Sequence, residues 1–276
     1  MSFKHITSRD NPIFKSIKKL ADNARERKAE RKTILDGVHL INSYLATHGE
    51  PISLIIPEGK STAEANALMQ QLEHLSTIML PTLMFAELTP VATSTGILAV
   101  VHIPQVGDLK NAHFETVKLA LMLEDIQDPG NLGGILRTAA AAGVDCVYLS
   151  KGCTDAWSPK ALRGGQGAQM VLPIIENADL TVLISQFSGE SYATTMGGQS
   201  LYNQAFNQAT AFVMGNEGAG LKPSTIAAVT HQIAIPMAQS RLSSVESLNV
   251  AAATAICLFE YQRQQAQFES EPVNEK

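Results

Sequence analysis

The sequence predicts an α/β protein in two parts, and three observations carry that expectation. Short apolar runs of strand length alternate with longer segments of helical periodicity along most of the 276 residues, the pattern of βαβ units rather than of a bundle or a sandwich. Turn and cap chemistry falls between those segments, as at Pro57-Glu58-Gly59, Pro129-Gly130 and Ser158-Pro159. A polar stretch with glycine and proline, PQVGDLKN at 104–111, interrupts the alternation and reads as a linker. The expected domains are 1–106 and 107–276.

In the first part a helix is expected over 11–30, opened by Asn11-Pro12, with Ile13, Phe14, Ile17 and Leu20 on one face. Strand 33–36, helix 37–47 with Val38, Ile41 and Leu45 inward, strand 52–56, helix 61–74, strand 77–80, a short helix from Pro81 and strand 96–103 follow. The second part alternates again. Strands are expected at 117–123, 144–149, 170–175, 191–195, 211–214 and 232–236, with helices at 131–142, 159–167, 178–187, 222–229 and 246–264. Asn131 suits the N-cap of the first of these helices, and Gly143 the position just past its end. The polar tail after Gln265 is expected to fray.

With 45% hydrophobic and 17% charged residues, the chain can bury a sizeable core and is not disordered. No run of eighteen apolar residues exists, so no membrane association is expected. The N-terminus has no signal-peptide apolar region, which points to the cytoplasm. Cys146, Cys153 and Cys257 are too few and too scattered for a disulfide framework or a zinc site, so reduced thiols and no metal are expected. The net charge of −5 conceals an asymmetry: residues 1–32 hold ten basic side chains against four acidic ones. A basic segment on an acidic protein points to a polyanion bound at one end, although a solvated amphipathic helix has the same composition. Arg9, Lys15, Lys18, Lys19 and Arg27 are the candidate nucleic-acid contacts.

Three stretches carry candidate chemistry. The first, DPGNLGGILRTAAAAG at 128–143, lies between two apolar strands and reads as strand, turn, helix, strand, which implies parallel pairing. Leu132, Ile135, Leu136, Ala139 and Ala140 form its buried stripe, and Arg137 sits beside it. A guanidinium there is near the carboxyl ends of parallel strands, where open α/β sheets bind ligands; a solvated surface charge fits the local pattern equally. The second, AFVMGNEGAGL at 211–221, runs a strand into a glycine-rich turn holding one carboxylate, Glu217. Lys222-Pro223 does not fit P-loop spacing, and no dinucleotide fingerprint is present. The third joins IAIPM at 233–237 to SLNVAAATAI at 247–256, whose alanines permit close helix packing.

Together, in this order, the three stretches resemble the motifs of the SpoU/TrmH branch of the SPOUT methyltransferases, which methylate RNA ribose 2′-hydroxyls. Asp128, Asn131, Gly133, Arg137 and Gly143 match the first motif; Met214, Gly215, Glu217 and Gly218 the second; Ile235, Pro236, Ser247, Leu248 and Asn249 the third. The resemblance covers about 112–265. The first part looks like the ribosomal-protein-like RNA-binding domain that precedes many such domains, on SRDNP at 8–12 and LDGVH at 35–39.

The resemblance implies an α/β-knot domain with a trefoil knot in its C-terminal segment, S-adenosyl-L-methionine as methyl donor, and a homodimer that shares its active sites. It implies an RNA partner, ribosomal RNA ahead of transfer RNA. Arg137 would be the catalytic arginine, oriented by Asn131 and Glu217, with Ser247 and Asn249 holding the ribose or the cofactor edge. Gly215, Gly218, Ile235, Met237 and Leu248 would bind the adenosyl moiety, largely through backbone groups. The chain departs from the pattern at 238–245, where the loop is several residues longer and carries Arg241, a phosphate contact or a solvated charge. A non-catalytic RNA-binding or ribosome-assembly factor of the same fold is the alternative.

Overall fold

The computed structural model describes residues 3–59, 61–89, 96–104, 116–238 and 247–270. Arg241 and nearly all of the long loop lie outside the described residues, as does most of the expected linker. In chain order the strands are β1 (Phe3–His5), β2 (Lys32–Asp36), β3 (Ser53–Pro57), β4 (Thr77–Leu80), β5 (Leu98–His102), β6 (Leu119–Leu123), β7 (Cys146–Ser150), β8 (Ile174–Ala178), β9 (Glu190–Ser200), β10 (Thr210–Met214) and β11 (His231–Ala234). The helices are α1 (Pro12–Asp22), α2 (Ala24–Glu30), α3 (Val38–His48), α4 (Ala63–Gln71), α5 (Thr82–Ala86), α6 (Pro129–Ala141), α7 (Pro159–Gly165), α8 (Leu180–Gln186), α9 (Pro223–Ala228) and α10 (Val250–Ser270). They fall into two compact units: Met1–Gln105 with Asp155–Val171, and Val106–Thr154 with Leu172–Lys276. None of the described helices is long and apolar enough to cross a membrane.

The first unit is built on a mixed sheet of order β1-β4-β3-β5-β2, parallel across β1, β4 and β3 and antiparallel across β3, β5 and β2. Side chains alternate across the strands. Ile34, Ile55, Ile78, Leu80, Leu98 and Val100 pack with Phe14, Ile17 and Leu20 of α1 and with Met84 and Phe85 of α5. Leu35, Leu54, Ile56, Ala99 and Val101, pointing the other way, are buried as well, so both faces are covered. The single helix expected over 11–30 is two. At Asn23 the backbone turns extended, its N–H closes α1 on the Lys19 carbonyl, and its side chain caps α2 by accepting from the Arg25 and Glu26 N–H groups. An asparagine offers the chain this local alternative to a continuous helix.

Asp155–Val171 reaches this unit from far along the chain. Arg27, 3% exposed, donates through Nε to Asp155 Oδ2 at 2.6 Å and through Nη1 to the Leu20 and Ala21 carbonyls. Thr33 Oγ1 donates to the Trp157 carbonyl at 2.6 Å, and His48 Nε2 lies 2.9 Å from the Met170 carbonyl. Ser158 caps α7 and Pro159 opens it, as the sequence predicts.

The second unit is a six-stranded sheet, β11-β9-β10-β6-β7-β8, parallel throughout. Its central strands LALML (β6) and TAFVM (β10) are buried at every position, the unbroken apolar run that burial on both faces produces. Several boundaries differ from expectation. The strand placed at 170–175 begins at Ile174, because Ala168–Met170 is a 3-10 turn of the first unit. Strand β9 runs on to Ser200, and α10 continues to Ser270; the rest of the tail expected to fray lies outside the described residues.

Candidate active site

The site is built at the carboxyl ends of β6, β10, β9 and β11, the end at which parallel α/β sheets bind ligands. Past β6 the chain enters α6. Its N-cap is Asp128, whose Oδ1 accepts the Asn131 N–H at 2.8 Å, and Pro129 takes the first helical position. The cap expected at Asn131 therefore falls three residues earlier, where a carboxylate also faces the positive end of the helix dipole. This leaves the Asn131 side chain free for other partners. Gly143, φ 66°, ends the helix in the left-handed region as expected.

Past β10, residues 216–220 form a tight hairpin closed by reciprocal backbone bonds between Asn216 and Gly220. A Cβ on Gly215 would lie 2.5 Å from the Gly220 carbonyl carbon and from the Leu221 nitrogen, so only glycine fits. Glu217 points from this hairpin to the start of α6. It accepts from Asn131 Nδ2 at 3.1 Å and from the Gln127 and Asp128 N–H groups at 3.3 Å each. Partial burial pushes the carboxyl pKa up, but the hydrogen bonds from Asn131 and from backbone N–H groups outweigh it, and the net shift is downward. Glu217 is an anion at neutral pH.

Asn249 completes the link. Its Oδ1 accepts from the Ala251 and Ala252 N–H groups and so caps α10, while its Nδ2 donates to Asn131 Oδ1 at 3.0 Å. The amide orientations follow by elimination, since a carboxylate only accepts and the free N–H groups of a helix start only donate. Asn131 must therefore turn its nitrogen to Glu217 and its oxygen to Asn249. Close packing supports the joint: Gly134 of α6 has room for a Cβ only in contact with Ala251 of α10, and Gln262 donates to the Ala142 carbonyl. Three predicted residues from three separate motifs thus form one chain of hydrogen bonds. Ser247 and Leu248, exposed, stand just ahead of Asn249.

The structure adds a loop that the sequence reading missed. Ala193 pairs with Gln232, but the next pair is Gln199 with Ile233, so residues 194–198 bulge out of β9 at the same end of the sheet. Thr195 Oγ1 is buried within this bulge without a hydrogen-bond partner, and Met196 at its tip is 82% exposed. The adjacent pair Thr194-Thr195 followed by Gly197-Gly198 is the local signal for it. Ile235 is half-buried after β11, with Met237 exposed beyond it and Gly218 exposed on the hairpin. Residues 194–198, 214–218, 234–238 and 247–249 carry no lysine or arginine and one carboxylate, Glu217.

Arg137 projects from the third turn of α6. It is exposed and makes no hydrogen bond or ion pair with another described residue. Asn131 and Glu217, expected to orient it, bond to each other. In the first unit the candidate RNA contacts divide. Arg9 pairs with Glu87, Lys15 with Asp10, Lys18 with Asp22 and Lys19 with Glu26, with Arg9, Lys15 and Lys19 more than half exposed. Arg27 is buried against Asp155 and faces no solvent.

Similarity to known proteins agrees with this geometry. The SpoU rRNA Methylase family profile matches residues 118–259. An uncharacterised tRNA/rRNA methyltransferase of Synechocystis sp. is 34% identical over 94% of both chains. The 23S rRNA (guanosine(2553)-2′-O)-methyltransferase RlmP of Bacillus subtilis is 29% identical over 93% of this chain and 98% of its own. Among solved structures, an RNA 2′-O ribose methyltransferase superposes with TM-score 0.82 at 26% identity, covering 95% of this chain and all of that one. An AdoMet-bound rRNA methyltransferase from Sinorhizobium meliloti superposes with TM-score 0.78 at 26% identity over 95% and 98% of the two chains. The chain belongs to the SpoU rRNA Methylase family.

Proposed function

We propose that the protein transfers the methyl group of S-adenosylmethionine to a ribose 2′-hydroxyl of ribosomal RNA. The observation that carries this reading is the hydrogen-bonded chain Glu217–Asn131–Asn249, which unites the three motifs at one end of the sheet. Its likeness to enzymes that bear this activity in their names supports it. The bulge with the orphaned Thr195 hydroxyl, the backbone around Gly215 and Ile235, and the apolar Met237 and Leu248 offer what an adenosyl group needs. When bound, S-adenosylmethionine would supply an already activated methyl, so the protein has only to place the acceptor oxygen, whose proton leaves late or is shared with the phosphate that Arg137 holds. Glu217, held anionic against Asn131, would offer a negative charge to the cationic sulfonium. Arg137, a planar guanidinium with several N–H donors, binds the phosphate next to the target ribose and polarises the hydroxyl. Alignment of this kind is worth about 7–11 kcal/mol of barrier.

Arg9, Lys15, Lys18 and Lys19 contribute RNA contacts by exchanging their carboxylate partners for phosphates, an exchange that exposed pairs make at little cost. Arg27 is not among them. A homodimer that completes each site with groups of the second subunit, a trefoil threading of the C-terminal segment and a cytoplasmic setting belong to the same reading.

The test is methyl transfer from labelled S-adenosylmethionine to ribosomal RNA, with 2′-O-methyl sites mapped in cells with and without the protein. Arg137→Ala should abolish transfer while calorimetric S-adenosylmethionine affinity stays within a few-fold. Substantial residual transfer rejects the role of Arg137. The absence of any cofactor binding heat would favour a non-catalytic RNA-binding factor.

A further inference from the structure

Asp125, which none of the three motifs includes, ties together the loops that carry them. Two residues past β6 its backbone is left-handed, φ 53°, a conformation uncommon for a non-glycine residue and held only where neighbours over-determine it. The neighbours are explicit. Its carboxylate accepts from Ser150 Oγ at 2.8 Å and from Lys222 Nζ at 2.7 Å, and its carbonyl accepts from Asn216 Nδ2 at 2.7 Å. Gly152 leaves the space: a Cβ there would fall 2.1 Å from Asp125 Oδ1. Asn216 in turn accepts the Gly218 and Ala219 N–H groups through Oδ1, which fixes its amide. Lys222 is fixed by its own N–H, which donates to the buried Glu124 carboxylate at 2.7 Å. The hairpin bearing Glu217 therefore hangs from Asp125 at both ends, by Asn216 before it and Lys222 after it.

We propose that Asp125 and Lys222 are a positioning pair whose contact sets the hairpin so that Glu217 meets Asn131. Lys222, the cation that fits no phosphate-loop spacing, acts on the site through Asp125, its nearer carboxylate at 2.7 Å against 3.7 Å for Glu124, and touches no substrate. The lysine side chain is 57% exposed, so the pair adds little to global stability; its effect is on the placement of Glu217. The geometric claim stands by itself, and its catalytic consequence rests on the methyl-transfer reading above.

Full-length Lys222→Met, Lys222→Arg, Asp125→Asn and the double variant Asp125→Asn/Lys222→Met decide it. In Lys222→Met the side-chain amide resonances of Asn131 should shift, kcat should fall by about tenfold with KM for RNA within about twofold, and the melting temperature should hold. Lys222→Arg should restore both signals. The double variant should lose no more than the worse single variant, as expected when two residues act through one contact. Unmoved Asn131 resonances in Lys222→Met, or additive losses in the double variant, overturn the proposal. If the wild type transfers no methyl, the enzymatic reading fails by itself and the Asn131 resonances still decide the pair.

Discussion

Asp155→Ala is the most informative single perturbation of the first unit. The side chains of Arg27 and Asp155 are 4% and 7% exposed, and Asp155 also accepts the Trp157 N–H through Oδ1 at 2.9 Å. Truncating Asp155 leaves a guanidinium without its counter-charge in a place water does not reach. Breaking a buried pair from one side costs about 3–5 kcal/mol. With a urea dependence of roughly 2 kcal/mol per molar, the midpoint should fall by about 2 M. Trp157 is the single tryptophan of the chain and is 5% exposed, so its fluorescence reports this unit directly. The double change Arg27→Met with Asp155→Leu should recover most of the loss, because apolar side chains of similar volume replace a buried pair well. A midpoint for Asp155→Ala within about 0.3 M of wild type, or a double variant as weak as the single, would refute the account.

Other expectations concern the second unit. Asn131→Ala removes one hydrogen bond to an ionised group and strands the Asn249 amide, so kcat/KM for RNA should fall by about one to two orders of magnitude; a change under threefold in steady-state assays would contradict the linking role. Gly215→Ala forces a Cβ to within 2.5 Å of hairpin backbone that cannot move aside, so S-adenosylmethionine binding by calorimetry should be lost while the far-UV spectrum is kept. Glu217 and Asp125 both have pKa values below their ordinary 4.5 and 3.8. Their contribution to stability is present above those values and lost as pH falls through the lower folded ones, so the acid limb of a pH–stability curve should flatten in Glu217→Gln. Burial holds the Cys257 thiol up at about 12 and Cys146 at about 11, so neither should react with a thiol reagent before the protein unfolds.

The strands and helices of the second unit were legible because each is short, apolar in the right period and closed by punctuating residues. The β6–α6–β7 unit reads off Val117 to Leu149 almost directly. What stayed hidden needed partners distant in sequence. Asn23 breaks a helix through a local side-chain bond that an apolar stripe does not reveal. Asp128, not Asn131, caps α6, a choice between two good capping residues that only the geometry of Pro129 decides. Arg27 counts as a surface cation until Asp155, 128 residues away, is seen beside it. The bulge in β9 is invisible to periodicity, since it depends on how β11 pairs. Of the site, the motifs supplied Glu217, Asn131 and Asn249 as separate members; that they bond in series, leaving Arg137 apart, is a matter of side-chain direction.

The dependence of the first unit on Asp155–Val171 also bears on how the chain matures during synthesis. A ribosome delivers β1 to β5 long before the residues that Arg27, Thr33 and His48 require. The usual order, in which the leading domain is finished as the next one emerges, cannot apply. The nascent N-terminal part lacks these partners until Asp155–Val171 has left the exit tunnel, so its final contacts form only after β6, α6 and β7 have been made.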